Sequence, residues 1–298
     1  MKILYIANHG RFRRSADDEG AVTFALVSLG HTVVRIEESQ GHKWVDEPAD
    51  LVLFHHWHDY ATIARFKPPT AFWCFDLVDW PNDPTLARRC IERVHWIEKL
   101  TDLCDIGFLT DGDWVAKNWE GKLHWLPQGA DERVCGPGKP LKPAPPLVFT
   151  GISRGGQGRL SWVNEVADRW GERFNHIQGR VYQRNLANLI ASSQIVLAPD
   201  APVSDRYFSN RAVMALGFQA FLIHPWTAGL AAMYRPDEEI VFYRDRLEMH
   251  RLIAFWLRPE QAERRAQIAA AGFQRTIRDH TYRHRCKRLL EIVKEQLG

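Results

Sequence analysis

The sequence predicts an α/β protein with parallel sheets, divided into two domains. Short apolar runs, such as Ile106 to Thr110 and Ile195 to Ala198, alternate along the chain with helical segments. Runs of this kind are typical of strands that are buried on both faces of a parallel sheet. The 298 residues suit two domains of ordinary size, and a proline-rich stretch separates two series of strands and helices. We therefore predict an N-terminal domain over 1–138, a linker over 139–146 and a C-terminal domain over 147–298.

The composition indicates a cytoplasmic protein of ordinary charge. The formal net charge of +3 is too small to argue for a nucleic-acid partner by itself. The five cysteines are odd in number and show no Cys-x-x-Cys spacing, so they are expected to be reduced thiols. No apolar run approaches the length of a membrane span, and the N-terminus lacks the layout of a signal peptide.

The first domain is predicted to open with a strand, a helix and a second, parallel strand. Lys2–Ala7 should be the first strand and His31–Ile36 the second. The helix between them is predicted over Ala21–Leu29, ended by Gly30. Further strands are predicted at Asp50–Phe54, Thr70–Phe75, Ile106–Thr110 and Leu123–Leu126.

The loop after the first strand carries a candidate site for an anionic partner. Arg11, Arg13 and Arg14 fall within four residues there, and a long loop at this place is more often functional than not. The acidic residues that follow, Asp17 to Glu19, leave a second interpretation, in which the charges pair within the loop. The loop has no Gly-x-Gly-x-x-Gly motif, so a nicotinamide cofactor is not expected.

Histidines follow the third predicted strand. His55, His56 and His58 could be metal ligands by residue type. However, side chains that leave the end of a strand diverge, and no second group with metal-ligand spacing is visible elsewhere in the sequence. We therefore favour a role in lining a cleft over a metal site.

Two carboxylates follow the fourth predicted strand. Asp76 and Asp79 lie three residues apart at its carboxyl end, where they are candidates for a general base. Asp83 is better explained as the N-cap of the next helix, because Pro84 suits the first helical position.

The second domain should begin with a strand at Leu147–Thr150 and a glycine-rich turn at 151–158. Such a turn lets backbone N–H groups approach a phosphate, and Arg154 or Arg159 could add positive charge. The domain should close with a basic amphipathic helix over Arg275–Leu297.

A polar segment lies between two predicted strands of this domain. Tyr207, Ser209, Asn210 and Arg211 come just before a helical stretch, at the sheet edge where ligands of parallel sheets bind. They offer a stacking ring, short donors and a guanidinium that could grip a pair of phosphates. In the alternative interpretation, Ser209 or Asn210 only caps the helix and Arg211 is solvated.

Several motifs, in this order, resemble the CgeB-like glycosyltransferases of the GT-B superfamily. They are Leu126 to Asp131, Val148 to Gly151, Tyr-x-Ser-Asn-Arg from Tyr207 to Arg211 with Phe221 to Ile223, and His280 to Tyr282 with Arg285. The resemblance covers nearly the whole chain. One departure is that the family's usual ribose-binding glutamate is replaced here by Met214.

The resemblance implies two Rossmann-like domains that face each other across a cleft, with the last helix crossing back to the first domain. It implies transfer of a sugar from a nucleotide sugar, such as a UDP-sugar, to an acceptor hydroxyl, with no metal and no other cofactor. The implied donor-binding residues are Gly151, Arg154, Arg159, Tyr207, Ser209, Asn210 and Arg211. The implied acceptor side has Asp76 or Asp79 as base, His9 or His58 nearby, and Arg11, Arg13 and Arg14 as acceptor-binding cations.

The acceptor has two interpretations. The three arginines favour DNA that carries a hydroxymethylated pyrimidine, as in phage-type DNA modification. A phosphorylated, surface or spore glycan, or a small molecule, fits the same residues. Two other classes stay open, a non-catalytic protein of the same fold that binds nucleotides or nucleic acid, and a nucleotide-sugar epimerase.

Overall fold

The computed structural model describes residues 1–9, 17–55, 57–78, 87–118, 121–141, 144–151, 157–178, 181, 183–199 and 204–298. The chain divides into two compact units. Unit 1 comprises Met1–Gln128 and Tyr282–Gly298, and unit 2 comprises Gly129–Thr281.

The strands and helices of the described residues alternate along the chain. The strands are β1 Lys2–Ala7, β2 Thr32–Glu37, β3 Leu51–Phe54, β4 Thr70–Cys74, β5 Ile106–Leu109, β6 Leu123–Trp125, β7 Leu147–Thr150, β8 Phe174–Ile177, β9 Ile195–Leu197, β10 Leu222–Pro225 and β11 Val241–Tyr243. The α-helices are α1 Asp18–Ser28, α2 Tyr60–Ile63, α3 Ala87–Leu103, α4 Gly112–Lys117, α5 Gln157–Trp170, α6 Gln183–Ser192, α7 Asn210–Gly217, α8 Ala228–Met233, α9 Arg246–Trp256, α10 Ala262–Asp279 and α11 Tyr282–Leu297. Short 3₁₀ helices lie at Glu38–Lys43, Gly171–Arg173 and Pro259–Gln261.

Each unit contains one parallel sheet in the described part of the chain. The sheet of unit 1 has the strand order β2-β1-β3-β4-β5-β6, and that of unit 2 has the order β11-β10-β9-β7-β8. The neighbouring strands pair in parallel, for example Ile3 with Leu51 and Val148 with Val196. The predicted α/β class with parallel sheets is confirmed.

The core of unit 1 lies on both faces of its sheet. On one face, Tyr5 and Trp73 pack with α1 and with Cys286 and Leu289 of α11. The last helix of the chain therefore completes the core of the first unit. Its first residue is also tied there by a polar contact, because the Tyr282 hydroxyl donates a 2.6 Å hydrogen bond to Asp18 Oδ1.

The predicted single helix over Arg275–Leu297 is wrong, because the chain breaks between α10 and α11. At the break, the carbonyl of His280 accepts a 2.9 Å hydrogen bond from the Ala130 N–H. The His280 ring also contacts the Met233 carbonyl, at 3.0 Å from Nε2. These two contacts hold His280 outside either helix, and the two compact units divide at this same point.

The segment after Gln128 packs in unit 2, ahead of the proline-rich stretch that the sequence analysis takes as the linker. The Gly136 N–H donates to the Gly217 carbonyl at 2.9 Å, and the Asp131 N–H lies 3.3 Å from Met214 Sδ. Both partners belong to α7, so this segment extends the second unit towards the N-terminus.

Candidate functional site

A cavity of about 660 Å³ lies in unit 1, at the carboxyl ends of the strands. Asn8 follows β1, His58 follows β3 and Asp76 follows β4, so the parallel strands bring these side chains to one edge of the sheet. Helices complete the wall. The described lining residues are Asn8, Glu19, Glu38, His58, Tyr60, Asp76, Arg89, Glu92, Arg93 and Trp96.

Two of the residues predicted for catalysis, Asp76 and His58, line this cavity. Asp76 is about half exposed, and its Oδ2 lies 3.3 Å from the Arg93 guanidinium. The His58 ring packs on Trp96, with the ring centroids 4.1 Å apart. Burial lowers the pKa of His58, so its imidazole is neutral at pH 7. A neutral ring can accept a proton or a hydrogen bond.

The third predicted catalytic residue, His9, is buried and does not line the cavity. Its Nε2 lies 3.0 Å from the Tyr5 carbonyl, and Arg35 Nε donates to its Nδ1 at 3.4 Å. Burial lowers the pKa of His9. Both ring nitrogens therefore have protein partners, and the neutral ring must carry its proton on Nε2.

Glu19 is one of the lining residues that the sequence analysis did not name as candidates. It lies in the first turn of α1, which begins three residues earlier than predicted because the Asp17 carboxylate caps it by accepting the Gly20 N–H at 2.8 Å. Its side chain is 18% exposed and lies 3.8 Å from His55 Nε2. Burial, joined by the neighbouring charges of Asp18 and Asp17, raises the pKa of Glu19 from 4.5 to about 7. The cavity thus holds a carboxylate that gives up its proton near neutral pH.

Part of the predicted site lies outside the described residues. This part comprises Asp79, Arg154, the side chain of Arg159, and the three loop arginines Arg11, Arg13 and Arg14.

In unit 2, Gly151 and Arg211 of the predicted donor site lie together. Gly151 follows β7 with a φ of 156°, in a region that favours glycine. A Cβ at this position would lie 2.9 Å from Arg211 Nη2 and 2.9 Å from Phe149 Cζ. Arg211 also lies over the Phe149 ring, 5.3 Å from its centroid, and Nη1 donates to Ser209 Oγ at 3.3 Å. The absence of a side chain at Gly151 leaves room for the guanidinium.

His176 joins this group from β8, a strand that the sequence analysis did not predict. Its Nε2 lies 3.0 Å from the Gly151 carbonyl, and its ring stacks on Phe149 with a centroid distance of 5.2 Å. The sequence signal for β8 is weak, because Asn175 and His176 interrupt the apolar pattern of a short edge strand.

The remaining predicted residues of this segment lie at the start of α7. Ser209 has the N-cap position, yet its side chain makes no capping hydrogen bond and instead accepts from Arg211. Asn210 is the first helical residue, and Tyr207 forms an isolated bridge with Ser204. The start of α7 is therefore consistent with both interpretations of the segment, a helix cap and a ligand site.

The backbone of Asp131 contacts Met214, the position that departs from the CgeB-like pattern in the sequence analysis. The Asp131 N–H contacts Met214 Sδ, and the Asp131 carboxylate accepts from Arg133 Nε and Nη2 at 2.8 and 2.7 Å. Asp131 is buried, so its charge is held by the guanidinium of Arg133.

The described histidines after β3 do not converge. His55 faces Glu19 and the Phe75 ring, whereas His58 packs on Trp96. His56 lies outside the described residues. Among the residues with described positions, no group of three His, Cys, Asp or Glu side chains is arranged to hold a metal ion. No described helix combines the length and the apolar character needed to cross a membrane.

Comparison with solved structures shows the fold of the whole chain. A sucrose-phosphate synthase from Thermosynechococcus elongatus superposes with a TM-score of 0.70 at 12% identity, over 99% of this chain and 98% of that chain. HepE from Anabaena, in complex with UDP-glucose, gives a TM-score of 0.64 at 11% identity over 99% and 100% of the two chains. AviGT4, a glycosyltransferase involved in avilamycin A biosynthesis, gives 0.59 at 15% identity over 100% and 98%. Identities this low establish the fold alone, which is GT-B.

Comparison with protein families identifies the chain itself. The model of the family described as glycosyl transferase-like matches residues 142–291, half of the chain. A comparison with curated proteins gave no sequence match. The chain belongs to the glycosyl transferase-like family and has its two parallel sheets in the GT-B fold.

Proposed function

We propose that the protein transfers a sugar from a nucleotide sugar, such as a UDP-sugar, to a hydroxyl group of an acceptor, as a CgeB-like member of its family. The observation that carries this proposal is the apposition of Gly151 and Arg211 at one edge of the unit 2 sheet. It supplies an arginine and an open backbone where a parallel sheet binds ligands. The structural relative HepE is described in complex with UDP and with UDP-glucose.

The donor end of the reaction needs positive charge for the leaving diphosphate. Arg211 supplies a guanidinium held by Ser209 and by the face of Phe149. Such a guanidinium is pre-oriented for a bidentate contact with phosphate oxygens. We assign Arg154 and Arg159 to the same role, together with Tyr207 and Asn210 as further donor contacts. Transfer is then independent of a metal ion, since fixed cations stabilise the departing charge.

The acceptor end needs a group that accepts the proton of the attacking hydroxyl. Asp76 and His58 line the cavity of unit 1 and are able to do so, and Asp79 and His9 remain candidates from their sequence positions. In the transfer, the acceptor oxygen forms a bond to the anomeric carbon while the bond from that carbon to the diphosphate breaks. The proton leaves the hydroxyl, and the electron pair leaves with the nucleoside diphosphate.

DNA with a hydroxymethylated pyrimidine is a second candidate for the acceptor, next to a glycan or small molecule. Its support is the sequence cluster Arg11, Arg13 and Arg14. No described residue adds to that support. We also place the protein in the cytoplasm, a proposal that fits the five cysteines, none of which forms a disulfide.

Binding of UDP and GDP to an Arg211→Ala variant tests the donor site. Loss of a charge-assisted hydrogen bond to the diphosphate should weaken binding by about 2–3 kcal/mol. Arg251→Ala is the matched control, because Arg251 is an exposed arginine of the same unit, on α9, and is not among the predicted donor residues. Calorimetry that finds equal nucleotide affinity for wild type and Arg211→Ala would remove the arginine from the donor site. Absence of any nucleotide binding by wild type would contradict the proposed function.

A further inference from the structure

We propose that unit 1 carries a surface for self-association, on which exposed side chains of α1 from one copy of the chain insert into an apolar groove of a second copy. The surface is formed by α1, α11 and the amino ends of the strands. It includes none of the residues assigned to the proposed function, so the inference does not rest on that function.

The groove has a volume of about 610 Å³ and lies beside α11, at the amino ends of the unit 1 strands. Three of its lining residues, His31, Asp50 and Pro69, come directly before β2, β3 and β4. The cavity described above lies at the carboxyl ends of the same sheet, so the groove and the cavity occupy opposite edges. We call it the amino-end groove, and its apolar lining residues are Leu29, Pro69, Leu290, Val293 and Leu297.

The outer face of α1 is apolar although it is exposed. The sequence has no charged residue from Gly20 to Leu29, and Phe24 and Val27, one turn apart, are 43% and 53% exposed. Most exposed positions of the neighbouring helix α11 are charged instead. They include Arg283, Lys287, Arg288, Glu291, Lys294 and Glu295. A helix that is apolar on all sides is normally buried on all sides, so we expect the outer face of α1 to be covered in an assembly.

The apolar face of α1 and the amino-end groove are continuous. Leu29 is the C-cap of α1 and also lines the groove, and Val27 lies only two residues before it. One surface thus presents both protruding apolar side chains and a groove that can receive them. Such a surface is complementary to itself about a two-fold axis, because each copy can insert Phe24 and Val27 into the groove of the other. An aromatic side chain in a desolvated pocket is the usual anchor of an interface of this kind.

The charged side chains around the groove favour a second copy over an anionic partner. Lys287 and Lys294 line it together with Asp50 and Glu291, so the described lining has two lysines and two carboxylates. Glu291 also lies 3.5 Å from Arg288, which adds a cation nearby. A lipid or nucleic-acid partner would require a clear excess of cations. A rim of mixed sign does not repel its own copy, because the lysines of one copy can face the carboxylates of the other.

Sedimentation velocity of the full-length protein from about 1 to about 100 µM tests this inference. We expect a concentration-dependent equilibrium between monomer and dimer. Phe24→Asp and, separately, Val27→Asp should raise the dissociation constant of the dimer at least about tenfold, because each would place a charge in an apolar groove. Ile91→Asp is the matched control and should leave the equilibrium unchanged. Ile91 is 70% exposed on α3 of the same unit and belongs to neither α1 nor the amino-end groove.

A mixture of two defective variants tests whether the occupant of the groove is a second copy. Leu297→Lys places a charge in the groove, whereas Phe24→Asp alters the inserted side chains. In a mixed dimer, the intact α1 of one variant meets the intact groove of the other, and the second contact brings the introduced carboxylate to the introduced ammonium group. The mixture should therefore dimerise at least about tenfold more tightly than either variant alone.

Four outcomes would overturn the inference. They are a monomeric wild type over the whole concentration range, wild-type dimerisation in folded Phe24→Asp and Val27→Asp, an equal loss in Ile91→Asp, and no recovery in the mixture. Because Phe24 and Val27 are exposed, their variants should keep the Tm of the wild-type monomer, which shows that they are folded. Calorimetry with UDP and GDP reads the donor site separately. Nucleotide binding by a monomeric wild type would refute this inference alone, and a dimer that binds no nucleotide would refute the proposed function alone.

Discussion

Replacing Glu19 by glutamine should stabilise the protein at alkaline pH and leave its stability unchanged at acidic pH. The pKa of Glu19 rises from 4.5 to about 7 on folding. Between these values the folded chain holds a proton that the unfolded chain has released, so the free energy of unfolding falls as the pH rises. Above pH 7 the destabilisation is complete. The difference between 4.5 and about 7, at about 1.4 kcal/mol for each pKa unit, gives an upper limit of about 3.5 kcal/mol.

The gain from Glu19→Gln should be smaller than this limit. The Glu19 side chain is still 18% exposed in the folded protein, and a glutamine amide at this position would also have a desolvation cost. We therefore expect a gain of about 1–2 kcal/mol at pH 8, or roughly 2–8 °C in Tm for a domain of this size. At pH 4 the carboxyl is protonated in both states and is nearly isosteric with the amide, so the difference should vanish.

Thermal unfolding of wild type, Glu19→Gln and Glu98→Gln between pH 4 and pH 9 measures this effect. Glu98 is exposed, so its variant should follow wild type at every pH. A Tm difference between wild type and Glu19→Gln that does not grow with pH would refute the raised pKa. A loss of stability in Glu19→Gln at pH 8 would show that the carboxylate is better stabilised in the folded state than its burial implies.

The remaining predictions concern catalysis and the acceptor. If Asp76 or Asp79 is the general base, its replacement by Asn should lower turnover on the order of a hundredfold and leave donor affinity unchanged. Near-normal turnover in both variants would exclude both carboxylates as the base. Turnover should survive EDTA, because arginines neutralise the leaving diphosphate, whereas complete loss that a divalent ion restores would favour the histidine metal site. On the DNA hypothesis, alanine at Arg11, Arg13 and Arg14 should lower the slope of log affinity against log salt by about one per charge, with nucleotide binding intact. Wild type that shows no salt-sensitive DNA binding would exclude DNA.

Continuous apolar runs were the most reliable guide to the fold. The predicted bounds of β1 and β7 agree with the structure at both ends, because each run is buried except for one half-buried end residue. Strand β8 escaped prediction since it lies at the sheet edge and has only one buried residue, Phe174. The break at His280 also escaped prediction. Its causes are hydrogen bonds to Ala130 and Met233, far away along the chain, which helical periodicity cannot encode.

Only part of the candidate sites could be predicted from the sequence. Strand ends identified Asp76, His58 and Gly151, since parallel strands bring their carboxyl ends together. The apposition of Gly151 and Arg211 agrees with the prediction that they form one site, although their role in donor binding stays a prediction. Glu19 was missed because its importance comes from burial against the strand ends, and a single acidic residue among three in the sequence carries no sign of that burial.

Release of nucleoside diphosphate from a panel of nucleotide sugars tests the central claim most directly. Transferases of this kind can pass the sugar slowly to water, so no acceptor is needed. The purified protein should release UDP or GDP from at least one nucleotide sugar, and that same sugar nucleotide should raise the Tm. Arg211→Ala should strongly reduce both effects, and Arg251→Ala should reduce neither. If the wild-type protein binds a nucleotide sugar but never cleaves it, with or without an acceptor, it is instead a nucleotide-binding protein of the GT-B fold. If turnover of the donor yields only an epimerised nucleotide sugar, the protein is an epimerase.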